Sequence, residues 1–212
     1  MRQVAGPINP RWKAILLFGP TGSGKTPLGQ LLEKEGLEGK RCLHFDFGEV
    51  LRASAKYQTG QLTSSERLVV ENSLRIGALL ENKHFFIAKK LLVGYLTERN
   101  ANMDTLVVLN GLPRHTGQAE AMESVVEVRS IISLDCEPLI AWERIRINAG
   151  GDRDERADDT LKEVESRIEV FRKRTSLLLK YYHERGVPVL PLDVGVKTTA
   201  QEMRLQLEAK WS

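Results

Sequence analysis

A stretch near the N-terminus has the residue types and the spacing of a phosphate-binding loop, or P-loop. Residues 19–26 read GPTGSGKT, which fits the pattern G-x-x-x-x-G-K-T. Glycines allow backbone N–H groups to turn inward around phosphate oxygens, and the N-terminus of the following helix adds partial positive charge. Lys25 offers a mobile cation to the outer phosphates, and Thr26 offers a hydroxyl to Mg²⁺. The stretch predicts binding of a nucleoside triphosphate, ATP in the simplest case, by Gly19, Thr21, Gly22, Ser23, Gly24, Lys25 and Thr26.

The flanks of the P-loop supply the structural context that the motif requires. An unbroken apolar run, residues 14–18, precedes the loop, as expected of a buried parallel strand. Leu28, Leu31 and Leu32 follow the loop at helical spacing. A strand, a loop and a helix in this order distinguish a P-loop from a glycine-rich turn that happens to end in Lys-Thr.

Arginines form a second group of residues that could bind phosphate. Arg52 follows the second predicted strand and Arg114 follows the third. Because the carboxyl ends of parallel strands open on one crevice, both side chains are expected near the P-loop. Further arginines flank or follow a charged, glycine-rich segment at 148–159, namely Arg144, Arg153, Arg156 and Arg167. Planar guanidinium groups bind phosphate oxygens in a fork-like manner, so these positions predict a site for more than one phosphate group.

Alternating apolar strands and amphipathic helices predict a doubly wound α/β fold. Strands are predicted at 14–18, 42–46, 105–109, 131–134 and 187–190, and helices between them, including one at 118–126 and a long one at 161–182 that Gly186 ends. Short helical pieces at about 49–82 exceed what one crossover needs, and we interpret them as an inserted lobe. The prediction is a single domain over residues 1–212, with a parallel five-stranded sheet between two layers of helices.

Composition narrows the class of protein. The hydrophobic fraction of 42% and the charged fraction of 28% are ordinary for a globular protein, and a net charge of +3 is too small to indicate a nucleic-acid partner. The sequence has neither an apolar run of about 18 residues nor a signal-peptide pattern, so we expect no membrane partner and a cytoplasmic location. Cys42 and Cys136 are expected to be free thiols.

Taken in order, these motifs resemble those of the nucleoside monophosphate kinases, most closely the adenylate kinases with a short lid. Residues 48–52, GEVLR, are similar to the family's G-D-x-L-R, and residues 110–114, NGLPR, with Gln118 are similar to its D-G-F-P-R-x-x-x-Q. Residues 156–159, RADD, with Arg167 are similar to its R-x-D-D and the arginine that follows. The resemblance covers nearly the whole chain and implies a monomer that uses MgATP.

The resemblance also implies roles for individual residues. The residues that would bind a monophosphate come from the start of the lobe at about 49–82, from the turn after the third strand and its helix, and from the lid and the helix that follows it: Phe47, Arg52, Gly111, Arg114, Gln118, Arg156 and Arg167. Gln118 would read the base. Closure of a short lid at about 148–157 would exclude water. The catalytic set would be Lys25, Arg114, Arg144, Arg156 and Arg167, with Arg144 also binding ATP.

Three positions depart from the family pattern. Asn110 stands where the family has an aspartate that orients the waters of magnesium, so Thr26 and Asn110 are the expected metal-side residues. Asn148 stands where a lid arginine is expected, so that either Arg153 substitutes for it or the phosphate clamp is weakened. Phe47 replaces a small hydroxyl residue near the base of the monophosphate, where it would either stack on the base or narrow or shift the base preference. The change at Asn110 predicts low activity.

The first functional hypothesis is transfer of the γ-phosphoryl group of MgATP to a nucleoside monophosphate, with AMP as the first expected acceptor. One alternative is a kinase for another monophosphate or for a small hydroxyl compound. The kinase for a hydroxyl compound would need a carboxylate to orient or deprotonate the hydroxyl, and Asp46 is the candidate. A second alternative is a weakly active nucleotide sensor. An Asn110→Asp variant that gained activity would then show that the natural protein is damped.

Overall fold

The computed structural model describes residues 11–57, 61–76, 80, 82–152 and 161–211. Within these ranges the chain forms a five-stranded parallel sheet in the order β2-β3-β1-β4-β5. The strands are β1 (Trp12–Phe18), β2 (Cys42–Asp46), β3 (Leu106–Asn110), β4 (Val126–Asp135) and β5 (Val189–Asp193). The predicted doubly wound α/β fold is confirmed.

Helices connect the strands and cover both faces of the sheet. They are α1 (Lys25–Glu35), α2 (Phe47–Lys56), α3 (Ser64–Ile76), α4 (Phe85–Glu98), α5 (Thr116–Met122), α6 (Pro138–Arg146), α7 (Leu161–Val170), α8 (Leu177–His183) and α9 (Ala200–Glu208). A 3₁₀ turn at Asn82–His84 precedes α4, and a π-helical segment at Phe171–Thr175 lies between α7 and α8.

The core consists of two hydrophobic clusters on opposite faces of the sheet. One cluster contains residues of α1 and α9, such as Leu32 and Met203, packed on β1 and β3. The other contains residues of α4, α5 and α8. Leu62 and Val70 of the predicted lobe belong to this second cluster, so the lobe rests on the same core as the sheet. The result is the three-layer arrangement that the sequence predicts.

The strand register places three strand ends side by side. Asn110, the last residue of β3, lies opposite Leu17 of β1 and opposite Asp46 of β2. The P-loop follows β1 directly, and α1 begins at its lysine. Because β1 is the strand from which the chain turns to either side of the sheet, this edge is where an open α/β sheet forms its binding crevice.

Helix α1 packs against β2 at unusually short range. A Cβ added to Gly29 of α1 would lie 2.3 Å from ring atoms of His44 in β2. Glycine is therefore required at position 29 by the neighbouring ring rather than by the backbone conformation. The close approach lets the buried His44 ring sit beneath the P-loop helix, with Nε2 3.4 Å from the side-chain nitrogen of Asn110.

Several predicted element boundaries were wrong, among them those of β5, which spans Val189–Asp193 rather than 187–190. Strand β4 starts at Val126 rather than at 131, and the helix before it ends at Met122, because β1 begins at Trp12 and pairs with Val126. The single helix predicted at 161–182 is interrupted by the π-helical segment. Phe171 packs there against Phe18 with ring centroids 5.0 Å apart, and this tertiary contact is invisible to helical periodicity.

Candidate active site

The P-loop has the conformation that the motif predicts. Gly22 and Gly24 have φ angles of 86° and 94°, and a Cβ at Gly22 would lie 2.5 Å from the carbonyl oxygen of Ala141 in α6. Lys25 extends back along the loop, where its Nζ donates to the carbonyl oxygens of Gly19 at 2.8 Å and of Pro20 at 2.6 Å. The loop thus positions backbone N–H groups and a cation around a space suited to phosphate.

A cavity of about 270 Å³ opens beside the P-loop. Its lining contains most of the residues predicted from the sequence: Gly19, Thr21, Gly22, Gly24, Lys25, Thr26, Phe47, Arg52, Asn110, Gly111, Arg114, Gln118, Arg144 and Arg167. Ser23 is buried behind the loop, 3.4 Å from Nζ of Lys25. Arg153 and Arg156 lie outside the described residues, as does the second half of the predicted lid, residues 153–157.

Three arginines from different elements meet on the side of the cavity facing the P-loop. Arg52 comes from α2, Arg114 from the turn after β3 and Arg167 from α7. Burial lowers the pKa of Arg114, Asp46 opposes that change, and the nearby charges of Arg167 and Arg52 lower the pKa further. Each positive charge thus disfavours the others, and an anion bound between them would relieve the repulsion. This arrangement suits a phosphate dianion.

Gln118 holds the turn that carries Arg114. Its Oε1 accepts from the backbone N–H of Arg114 at 2.8 Å, and its Nε2 donates to the carbonyl oxygen of Leu80 at 2.9 Å. The side chain is 1% exposed. Gln118 therefore connects the predicted lobe to the arginine cluster, and its two bonds leave one N–H hydrogen and one oxygen lone pair of the amide.

Phe47 forms an apolar wall of the cavity. Its ring stacks on that of Phe45 with centroids 6.1 Å apart, and the side chain is buried at the start of α2. A Cβ added to Gly111, which has a φ angle of 78°, would lie 3.9 Å from the Cβ of Phe47. The phenylalanine thus lines the cavity beside the turn that carries Gly111.

Arg144 is placed between the P-loop and the segment after β5. Its Nε donates to the carbonyl oxygen of Gly22 at 3.1 Å, and its Nη1 lies 2.7–3.1 Å from the carbonyl oxygens of Gly195, Val196 and Thr198. The side chain is 3% exposed, and burial lowers the pKa of the guanidinium group. Arg144 therefore supports the P-loop from within while also lining the cavity. Sequence reasoning missed residues 195–198, which carry no motif.

A polar cluster lies at the foot of the P-loop. The hydroxyl of Thr26 donates to Oδ2 of Asp46 at 2.8 Å, and the same oxygen accepts from Nδ2 of Asn110 at 2.8 Å. Oδ1 of Asp46 accepts from the backbone N–H of Glu49 and so caps α2. Sequence reasoning placed Thr26 and Asn110 here but considered Asp46 only as a base, because the pairing of β2 with β3 cannot be read from one strand.

The donor atoms of this cluster fit Mg²⁺. The Thr26 hydroxyl and the Asp46 carboxylate offer hard oxygen ligands, whereas Asn110 presents its Nδ2 to them as a hydrogen-bond donor. Mg²⁺ usually binds through one or two carboxylates, waters and substrate phosphates rather than in an all-protein cage. The described residues contain no group of three or more His, Cys, Asp or Glu side chains that could hold a metal ion. None of the described helices is long and apolar enough to cross a membrane.

Comparison with known proteins decides the family. The chain is 30% identical over 203 residues to an adenylate kinase of Synechococcus sp. (strain WH7803), with 92% of this chain and 96% of the relative covered. The chain belongs to the nucleoside monophosphate kinase family. An adenylate kinase of Prochlorococcus marinus (strain MIT 9211) is 29% identical over 203 residues, covering 91% of this chain and 96% of its own length.

A relative that is named for other monophosphates matches as well. UMP-CMP kinase 1 of Oryza sativa subsp. japonica is 27% identical over 177 residues, covering 81% of this chain and 64% of its own length. No protein-family model matches the chain. The kinase is an adenylate kinase-like phosphotransferase whose substrates are ATP and a nucleoside monophosphate, which confirms the resemblance found in the motifs.

Proposed function

We propose that this kinase transfers the γ-phosphoryl group of MgATP reversibly to AMP and forms two molecules of ADP. The observation that carries the proposal is the cavity in which the P-loop faces Arg52, Arg114 and Arg167. A triphosphate on the P-loop and a monophosphate on the arginines would share one enclosed space. The relatives named adenylate kinase support AMP as the acceptor.

The donor would be held by the P-loop. Its backbone N–H groups and Lys25 would bind the β- and γ-phosphates, and Thr26, Asp46 and Asn110 would face the magnesium ion. Mg²⁺, when bound, neutralises charge on the bridging phosphate oxygens. Arg144 would keep the loop in shape through its bond to Gly22 and would add positive charge at the cavity floor.

The transfer step needs positioning rather than a base. An oxygen of the AMP phosphate, already anionic, would form a bond to the γ-phosphorus, while the bond from that phosphorus to the β–γ bridging oxygen breaks and its electrons remain on the β-phosphate. Arg114 and Arg167 would neutralise charge on the transferring group, with Arg156 added from the lid. This agrees with the hydrogen bonds of Asp46, which direct its carboxylate to the P-loop and argue against a role as base for a hydroxyl acceptor.

Water has to be kept from the γ-phosphoryl group during transfer. We assign this to closure of the lobe at about 49–82 over the monophosphate and of the lid at about 148–157 over the triphosphate. The two bonds of Gln118, one to the arginine turn and one to Leu80, would couple the lobe to the acceptor site. That the kinase is a monomer, lies in the cytoplasm and binds neither nucleic acid nor membrane remains a prediction.

The test is a phosphoryl-transfer panel. The purified kinase, ATP and Mg²⁺ are mixed with AMP, GMP, CMP, UMP or dTMP, and diphosphate formation is followed by ³¹P NMR. We expect the highest kcat/KM with AMP and none in a Lys25→Met variant. Faster transfer to CMP or UMP would contradict AMP as the acceptor and assign the base preference to Phe47. ATP binding without transfer to any acceptor would favour the nucleotide sensor instead.

A further inference from the structure

A carboxylate lies beside the P-loop threonine, at the end of the strand next to β3. The family places its aspartate at the position of Asn110, whereas here the charge is on Asp46, at the end of the neighbouring strand. The Asp46 side chain is 8% exposed, and its Oδ2 accepts the Thr26 hydroxyl at 2.8 Å. The carboxylate at this edge of the sheet therefore lies on β2, opposite Asn110 of β3, and faces the P-loop threonine.

The amide of Asn110 complements a charged residue at position 46. Its Nδ2 donates to Oδ2 of Asp46 at 2.8 Å and to Oγ1 of Thr26 at 3.1 Å. An aspartate at position 110 would bring a second carboxylate oxygen equally close to Oδ2. Two carboxylates in such contact do not both ionise easily, because each charge raises the pKa of the other group. Asparagine at 110 is therefore the residue that Asp46 requires, rather than a defect.

These hydrogen bonds also set the direction of the Thr26 hydroxyl. It gives its proton to Asp46 and accepts one hydrogen from Asn110, so that one of its two lone pairs remains for a ligand in the cavity that Thr26 lines. An oxygen in this state suits a hard cation, and the adjacent carboxylate adds attraction at short range.

We infer that Asp46 supplies the negative charge that holds the magnesium ion of the bound nucleotide, acting as a positioning residue through the Thr26 hydroxyl, with Asn110 as its neutral partner. The inference rests on the proposed function for the presence of a magnesium nucleotide. It removes the reason to expect that Asn110 damps the kinase.

The decisive variant is Asp46→Asn. Asparagine has nearly the same shape and is an equally good N-cap, so the cap of α2 is retained while the charge is lost. Binding of ADP and of a non-hydrolysable ATP analogue is measured by calorimetry, once in Mg²⁺ and once in EDTA. We expect the variant to lose about 10–100-fold of the affinity measured in Mg²⁺, the usual cost of losing a group that supports a metal ligand. In EDTA its affinity should be equal to that of the natural protein or higher.

A matched control and a charge swap complete the test. Asp135→Asn makes the same change at the end of β4, where the carboxylate accepts from Ser133 instead. This control should keep the ratio of nucleotide affinity in Mg²⁺ to that in EDTA that the natural protein has. The double variant Asp46→Asn/Asn110→Asp returns one carboxylate to the pair and should recover most of the magnesium dependence. Asn110→Asp alone should melt at a lower temperature than the natural protein in EDTA at pH 8, because two carboxylates then meet.

The outcomes separate this inference from the proposed function. Three results would each overturn the inference. The first is an Asp46→Asn variant whose ratio of nucleotide affinity in Mg²⁺ to that in EDTA equals that of the natural protein, and the second is a natural protein whose affinity does not depend on magnesium. The third is a double variant that folds but does not recover the magnesium dependence. Loss of the ratio in Asp46→Asn supports it even if no monophosphate accepts a phosphoryl group, a result that contradicts only the proposed function. If the natural protein transfers a phosphoryl group to AMP but Asp46→Asn keeps the natural ratio of affinities, the proposed function is supported and the inference about Asp46 is wrong.

Discussion

The two sides of the cavity use their positive charges differently. On the P-loop side, Arg144 and Lys25 donate to backbone carbonyl oxygens, and these bonds hold the loop in its binding shape. On the opposite side, Arg114 lies near Arg52 and Arg167, whose charges lower its pKa. Arg114 has one such bond, from Nε to the carbonyl oxygen of Gly111 at 2.9 Å, and the anion proposed to bind here would relieve the repulsion among the three charges. Substitution of Arg144 should therefore cost mainly stability, and substitution of Arg114 mainly activity.

The largest effect is expected for Arg114→Gln. Loss of a guanidinium group that contacts the transferring phosphoryl group should lower kcat/KM for AMP by about 10³-fold, the lower end of the range for such arginines. The free energy of unfolding should change little, because removing one of three nearby positive charges offsets the loss of the bond to the carbonyl oxygen of Gly111. Initial rates and urea denaturation provide the two measurements. Arg172→Gln, at an exposed arginine of the π-helical segment, is the control and should change neither. Marked destabilisation by Arg114→Gln would contradict the contrast between the two sides.

Arg144→Gln should show the opposite balance. It removes the donor for the carbonyl oxygens of Gly195, Val196 and Thr198, and leaving such groups unpaired should lower the free energy of unfolding by about 2 kcal/mol. The affinity for ATP should fall as the P-loop loosens. Urea denaturation with and without ATP measures both effects. If the variant loses activity at unchanged stability, Arg144 acts on the substrate alone and the interpretation of its carbonyl bonds is wrong.

Gln118→Ala tests whether the arginine side is positioned by the lobe. Without the bond to its backbone N–H, the turn of Arg114 should shift, and misplacement of a catalytic group on this scale should cost about tenfold or more in kcat/KM. Because the loss would come from the displaced Arg114 rather than from the base, we expect it to be similar with AMP and with CMP. Kinetics with both acceptors provide the measurement. A loss confined to AMP would instead show that Gln118 reads the base.

The smallest effect concerns the two free cysteines. Burial raises the pKa of Cys42 from 9.0 to about 11, so this thiol should resist a disulfide reagent at pH 8 until the protein unfolds. Burial also raises the pKa of Cys136, but the nearby Arg144 and Lys25 lower it, and the residue is partly exposed. Cys136 should therefore react first, and more slowly when ATP adds negative charge beside it. Absorbance of the released thiolate follows both reactions.

The raised pKa of Cys42 has a consequence for stability. Between pH 9 and about 11 the thiol ionises in the unfolded chain but not in the folded one, so folding stability should decline as the pH rises through this window. A Cys42→Ser variant should lack this part of the decline. Urea denaturation at pH 8 and pH 10 measures the free energy of unfolding of both proteins. An equal decline between the two pH values in the natural protein and in Cys42→Ser would contradict the prediction.

The sequence predicts those parts of the molecule that depend on local patterns. The P-loop, the strand ends that carry Arg52 and Arg114, and the order of strands and helices follow from motifs and periodicity within single segments. The cluster of Asp46 and Asn110 was missed because it requires the register between two strands. The carbonyl bonds of Arg144 were missed because residues 195–198 have no motif, and the start of β4 because Trp12 on another strand determines it.

The contact of Gly29 with His44 constrains how this kinase can evolve. A side chain at position 29 would collide with the imidazole ring, so enlargement of residue 29 is tolerated only after residue 44 has become smaller. The two substitutions therefore have an order, and the effect of the first depends on the second, which is sign epistasis. Because the ring also lies 3.4 Å from Asn110, a change at either position reaches the polar cluster under the P-loop. Positions 29, 44 and 110 should accordingly covary among descendants of this sequence.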